Sequence, residues 1–112
     1  IKKAMDAGIA LDGIAHITGG GLYDNTPRIM PENINVVFDK NALPVLPIFK
    51  LIVEKGNIDE QEAYRVFNMG VGMVWFVPAA DVEAALKICA ECGYTAAVCG
   101  KVTAGDRSVI IN

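Results

Sequence analysis

The stretch richest in potential chemistry is Ala15-His16-Ile17-Thr18-Gly19-Gly20-Gly21-Leu22-Tyr23-Asp24-Asn25-Thr26-Pro27-Arg28. Three glycines between an expected strand and an expected helix leave backbone N–H groups uncovered by side chains. The start of the helix behind them carries partial positive charge. Together these features suit an anionic group, commonly phosphate. Arg28 adds a forked donor that matches phosphate or carboxylate oxygens, and His16 and Asn25 can hydrogen-bond a polar ligand. The competing reading is a tight corner where only glycine fits, and residue types alone do not separate the two. The run is neither a GxxxxGK[ST] phosphate loop, since no Lys-Ser or Lys-Thr follows it, nor a GxGxxG dinucleotide fingerprint.

A second glycine run, Asn68-Met69-Gly70-Val71-Gly72-Met73, lies between an expected helix and an expected strand. That order is wrong for an anion site at a helix start. A helix stop at Gly70 and a close backbone approach at Gly72 explain it better, with Asn68 left exposed to contact a ligand. His16 is the only histidine, and one histidine beside an apolar strand reads first as a hydrogen-bonded structural residue. Cys89 and Cys92 have CxxC spacing without a second pair or nearby histidines, so packing is expected and no metal site. Tyr94, Trp75 and Phe76 read as core. The acids Asp59, Glu60 and Glu62 mark a solvated, capped helix start.

The elements that position these residues follow from periodicity and punctuation. Residues 1–8 end a helix at Gly8, a short strand lies within 11–18, and a short helix covers about 22–25. Ile34–Phe38 is a β-branched strand, and Leu43–Pro47 is extended because each residue before proline is pushed out of the helical region. Pro47 opens a helix with Ile48, Leu51, Ile52 and Lys55 on one face, ended by Gly56. Asp59 caps the next helix, with Glu62 three residues on and Ile58 before it. Val71–Val77 reads as a strand buried on both faces. After Pro78 comes a helix with Asp81 and Glu83 in its first turn and Val82, Ala85, Leu86 and Cys89 as its core stripe, capped by Gly93. Residues 95–103 and 107–111 look like a hairpin turned at Ala104-Gly105-Asp106. The pattern predicts one α+β domain over residues 1–112, a mixed sheet with helices packed on it.

Composition bounds the function. With 112 residues, 53% hydrophobic and 21% charged, the chain is a folded domain rather than a disordered one. A net charge of −3, with acids and bases interspersed, argues against nucleic acid as a partner. The longest apolar run is far short of a membrane helix, and Ile1-Lys2-Lys3-Ala4-Met5-Asp6 is no signal peptide. Three cysteines fit a reducing cytoplasm better than a disulfide scaffold. The start at Ile1 instead of Met suggests a piece of something longer.

Several separated motifs together resemble one family. His16-Ile17-Thr18-Gly19-Gly20-Gly21-Leu22, Asn25, Pro27-Arg28 and Pro31, then Pro47-Ile48-Phe49, then Tyr64-Arg65-Val66-Phe67-Asn68-Met69-Gly70-Val71-Gly72-Met73, resemble the phosphoribosylformylglycinamidine cyclo-ligases (aminoimidazole ribonucleotide synthetases) in order and spacing. The resemblance runs from about residue 9 to residue 111. It implies the C-terminal half of a two-domain enzyme, in α/β/α layers and partly ferredoxin-like, lacking its first strand and helix. In such an enzyme ATP and Mg2+ are bound mainly by the N-terminal half, through which the enzyme forms a homodimer. Its substrates are small nucleotides, and it closes the imidazole ring in purine biosynthesis. The implied phosphate and substrate contacts are His16, Thr18, Gly19, Gly20, Gly21, Asn25, Arg28 and Asn68. No catalytic base or metal ligand is implied here, so the chain alone is expected to be inactive. Related synthetases, of the formylglycinamidine ribonucleotide or selenophosphate type, share the plan but often carry an acid in place of His16. A non-catalytic anion-binding or assembly module remains the alternative of a different class.

Overall fold

The structure, a computed structural model, describes residues 1–112. The helices are α1 (Lys2–Asp6), α2 (Gly21–Asn25), α3 (Pro47–Gly56), α4 (Glu60–Val66) and α5 (Val82–Glu91), and the strands are β1 (Gly13–His16), β2 (Ile34–Phe38), β3 (Met73–Phe76), β4 (Gly100–Ala104) and β5 (Val109–Ile111). β1 and β3 form an antiparallel pair. β2 is the centre of a mixed three-stranded sheet, antiparallel to β4 and parallel to β5. The α+β class and the mixed sheet expected from the sequence are both present. No helix is long and apolar enough to cross a membrane.

The main core lies between the two sheets and α2 and α4. Ala15, Ile17 and Val74 enter it from β1 and β3, Val36 and Phe38 from β2, Leu22 from α2, and Ala63 and Tyr64 from α4. A smaller cluster of Ala4, Ile9 and Ala85 joins α1 to α5, and Trp75 packs against it from the other face of β3. β3 therefore has packing on both faces, as its unbroken apolar run implies, although it is shorter than expected and its first residue, Met73, is 43% exposed.

Three details depart from the sequence reading. First, β4 and β5 are not a hairpin, because β2 lies between them. β2 is apolar at four of its five positions, and Val36 and Phe38 are each 1% exposed, so it takes the centre, where both edges are paired. The 105–108 connection must then pass the entry of β2. Asn35 holds it there: its Oδ1 accepts from the Asp106 N–H at 2.9 Å and the Ser108 N–H at 2.8 Å. Arg107, in the left-handed region at φ 70°, donates twice to the Pro27 carbonyl.

Second, α3 turns a different face inward. Phe49 and Val53 pack on the main core, Phe49 with its ring centroid 5.8 Å from that of Phe67, while Ile48 and Leu51 are about half exposed. Gly56 remains helical, and Asn57 supplies the left-handed C-cap at φ 48°. Third, Tyr94 is 72% exposed and belongs to no core. Asp81 stands at the N-cap of α5, one residue before its first turn, and its carboxylate accepts from the Ala10 N–H. The cap at Asp59 is as expected, with Oδ1 accepting from Gln61 and Glu62 N–H, and Gly93, at φ 81°, follows α5.

Asn35→Ala leaves two amides of the 105–108 connection without their acceptor. It should destabilise the fold by about 1–3 kcal/mol in urea unfolding. Asn35→Asp keeps the acceptor oxygen and should lose much less, so equal losses from the two substitutions would show that the amide's acceptor role is not what matters.

Candidate functional site

The two glycine runs, separated by about fifty residues in the chain, meet at one end of the β1–β3 pair. The last bond of the ladder runs from the Ile17 N–H to the Gly72 carbonyl at 3.0 Å, immediately before Thr18. Asn25 then closes the first loop from inside. It is 3% exposed. Its Oδ1 accepts from the Thr18 N–H at 2.6 Å, and its Nδ2 donates to the Gly19 carbonyl at 3.1 Å. Asn25 therefore shapes the loop, and its polar atoms are spent there rather than offered to a ligand.

The three glycines differ from one another. Gly20 sits at φ 104°, where a Cβ would stand 2.8 Å from Asn25 Nδ2. Gly21, at φ 57°, lies so close to the end of α4 that a Cβ would overlap the Tyr64 carbonyl oxygen and come 2.8 Å from that of Phe67. Both need glycine for internal reasons. Gly19 does not: it lies outside the left-handed region, and a Cβ there would meet nothing within 4 Å. The N–H groups of Gly19 and Gly20 donate to no acceptor in the chain, whereas Thr18 N–H is bonded to Asn25 and Gly21 N–H to the Thr18 carbonyl.

The second loop is built similarly. Asn68 Oδ1 accepts from the Gly70 N–H at 3.0 Å, and the Asn68 carbonyl accepts from Val71 N–H. Met69 and Gly70 take φ 55° and 103°, and a Cβ on Gly70 would strike the Pro44 carbonyl at 2.6 Å. Asn68 is half-buried rather than exposed, and its Nδ2 is the group left for a ligand. Gly72, like Gly19, has open space at its Cβ position and no left-handed backbone.

The structure thus gathers Thr18, Gly19, Gly20, Asn68 and Gly72 on one rim, with His16 at the end of β1 beside it. His16 is exposed and pairs with Met73 across the ladder; its ring makes no hydrogen bond in the chain, contrary to the structural role expected. Arg28 is exposed and unpaired, on a 3-10 turn whose Ile29 packs on Gly13. That is the far end of β1, about 10 Å from His16 at the rise of a strand, and no hydrogen bond or ion pair joins Arg28 to the loop. The guanidinium held beside α2 is that of Arg65, 2.9 Å from Asp24 and 5.4 Å from the Tyr23 ring centroid. Its position next to Tyr64 in the second motif was the available signal. α2 has only five residues, so little helix dipole stands behind the loop. The donors this loop leaves free are the two backbone amides of Gly19 and Gly20.

No group of three or more His, Cys, Asp or Glu side chains could hold a metal ion. The three cysteines are unbridged. Cys92 is exposed, and burial pushes the Cys99 thiol above its ordinary range. At neutral pH a raised pKa means less thiolate, so iodoacetamide should modify Cys92 first and Cys99 last, as mass spectrometry can follow. Asn25→Ala should free the Thr18 N–H and Gly19 carbonyl at a cost of about 1–3 kcal/mol. Faster exchange of the Thr18 amide would accompany that loss, and an unchanged thermal midpoint would remove Asn25 from its role as the clamp.

Residues 2–112 match the model of the family described as "AIR synthase related protein, C-terminal domain". The chain is 40% identical over 111 residues to a phosphoribosylformylglycinamidine cyclo-ligase of Lachnospira eligens, covering 99% of this chain and 33% of that protein. It is 45% identical to the corresponding protein of Carboxydothermus hydrogenoformans, covering 100% and 33%. Against that of Pseudothermotoga lettingae it is 48% identical, covering 90% and 30%. The chain spans about a third of the length of the curated relatives it matches. With the glycine motifs and the mixed α+β architecture in agreement, the chain belongs to the AIR synthase related protein family, as its C-terminal domain.

Proposed function

We propose that this domain forms one wall of the active site of an ATP-dependent cyclo-ligase that converts formylglycinamidine ribonucleotide to aminoimidazole ribonucleotide in purine biosynthesis. The observation that carries this reading is the rim of paired glycine loops. Two backbone amides there have no acceptor in the chain, and two glycines, Gly19 and Gly72, have no internal reason to lack a side chain. An oxygen approaching the backbone supplies the missing reason. The relatives' name, cyclo-ligase, supports the reaction class.

In the proposed reaction the formyl oxygen of the substrate accepts a phosphoryl group. An amidine nitrogen then attacks that carbon, the imidazole ring closes, and phosphate leaves. Such chemistry depends on positioning and on stabilising charge. The rim would hold phosphate or substrate oxygens on the Gly19 and Gly20 amides, with His16, Thr18 and the Asn68 amide as further donors along the wall. We assign magnesium and most ATP contacts to the other part of a two-domain, homodimeric, cytoplasmic enzyme.

The surface of the domain supports a larger body. Its accessible area is 6889 Å², against about 6,000 Å² for a compact monomer of its mass. Its radius of gyration is 14.4 Å, against about 13 Å for a compact domain of this length. The excess area is on the order of one side of a standard interface.

Gly19→Val in the full-length enzyme is the discriminating substitution. Stability should change by no more than about 0.5 kcal/mol, while kcat/KM should fall roughly tenfold or more as an oxygen loses its approach. Gly20→Val serves poorly, because its strained backbone and its contact with Asn25 destabilise the loop whatever binds there. Wild-type turnover by the Gly19→Val enzyme would remove the rim from the active site. Arg28→Ala tests the arginine separately, and turnover unaffected by it would confine the site to the rim. The isolated 112-residue chain should form no product.

A further inference from the structure

A hollow of about 210 Å³ opens between α3, α4 and the short turn at Lys40. It has room for about seven waters at roughly 30 Å³ each, enough for a molecule the size of benzoate. Its floor is apolar, with Val53, Ala63 and Met69, and its polar groups are confined to Lys40, Lys50, Glu60 and Tyr64.

Tyr64 is the informative residue. Its side chain is part of the main core and only 3% exposed, and its hydroxyl has no hydrogen-bond partner in the chain. Thr26 Oγ1 is the only buried side-chain polar atom both sealed and unpartnered. The Tyr64 hydroxyl therefore keeps an opening, and the hollow it lines is that opening. Burial and the neighbouring Glu60 carboxylate raise its pKa, so it is a neutral donor. Lys40 is neutralised by its ion pair with Glu60. Lys50 is exposed and takes part in no ion pair, which leaves the lining with one uncompensated positive charge.

We infer that this hollow binds a small organic monoanion, its carboxylate taken by Lys50 and the Tyr64 hydroxyl and its apolar body seated on Val53, Ala63 and Met69. The hollow touches the second glycine loop through Met69, but none of Thr18, Gly19, Gly20, Asn68 and Gly72 lines it, and Tyr64 turns its backbone carbonyl to Gly21. One net positive charge over an apolar floor favours a monocarboxylate over a phosphate, which would demand more charge and could not use the floor.

The test is calorimetric titration of the full-length protein with sodium benzoate, with its neutral isostere benzamide, and with inorganic phosphate. Benzoate should bind saturably at one site per chain, with benzamide and phosphate each about tenfold weaker or worse. Lys50→Ala, at an exposed position, should weaken benzoate about tenfold and leave the thermal midpoint unchanged. Tyr64→Phe should weaken it as well; if that variant does not fold, Lys50→Glu gives the second measurement. Gly19→Val should leave benzoate binding intact even if it abolishes turnover. No saturable binding, equal binding of benzamide, tighter binding of phosphate, or an affinity that follows Gly19 and ignores Lys50 overturns the assignment.

Discussion

Gly21 lies against the carbonyl oxygens of Tyr64 and Phe67 with no room for a side chain, and much of the domain's arrangement depends on that contact. It brings the first turn of α2 onto the end of α4 at backbone distance. The side chains around it then follow: Arg65 reaches Asp24 and lies over Tyr23, and Leu22 enters the core beside Ala63. Because α4 runs directly into the Asn68–Gly72 loop, fixing its end against α2 also brings that loop beside Thr18–Gly20. The Ile17–Gly72 hydrogen bond closes the same junction from the sheet side. A larger residue at position 21 would therefore part the two halves of the rim as well as strain a turn.

The steric reading of the glycine triplet accounts for two of its three residues, and the proposed anion-binding role falls to the third. Gly21 is required by α4, and Gly20 by a left-handed backbone and the Asn25 amide. Gly19 is required by nothing in the chain. The stability of the loop and its openness are thus assigned to separate positions, and Asn25 connects them: it bonds Thr18 and Gly19 from the buried side while the Gly19 and Gly20 amides have no acceptor in the chain. A preorganised pair of donors needs no further ordering when an oxyanion arrives, and that saving is what lets backbone amides contribute to charge stabilisation.

Much of this was legible in the sequence where the signal was local. Asp59 with Glu62, Pro47 at the first turn of α3, and the β-branched run Ile34–Phe38 each specify an element through chemistry confined to a few residues. What was not legible depended on partners remote in the chain. The sequence pattern of residues 100–111 is that of a hairpin, whereas in the fold β2, with Val36 and Phe38 fully buried, lies between β4 and β5. The helical period of α3 is met equally by Ile48 and Leu51 or by Phe49 and Val53, and the choice falls to Phe67, whose ring meets Phe49. Asn25 reads from its type as a ligand contact, yet a buried amide with both ends bonded to the loop is a structural group. Arg28 and Arg65 cannot be ranked from sequence, because which one lies beside α2 is decided by the α2–α4 contact.

Selectivity at such a rim has to come from side chains. Backbone amides and glycines recognise an anion by charge and shape, but every phosphate offers similar oxygens, so the rim by itself cannot distinguish one nucleotide from another. Discrimination requires side chains with a directional hydrogen-bonding pattern, since an unpaired polar group in a closed site penalises the wrong partner. At the rim those groups are few: the His16 ring, the Thr18 hydroxyl and the Asn68 amide. His16 stands out among them, because its ring is committed to nothing in the chain and projects from the last residue of β1, where the ladder fixes its backbone through Met73. In the proposed site, a strand end carrying a free imidazole beside the glycine loop would divide the work: the glycines would hold charge, and the imidazole would read what the charge is attached to.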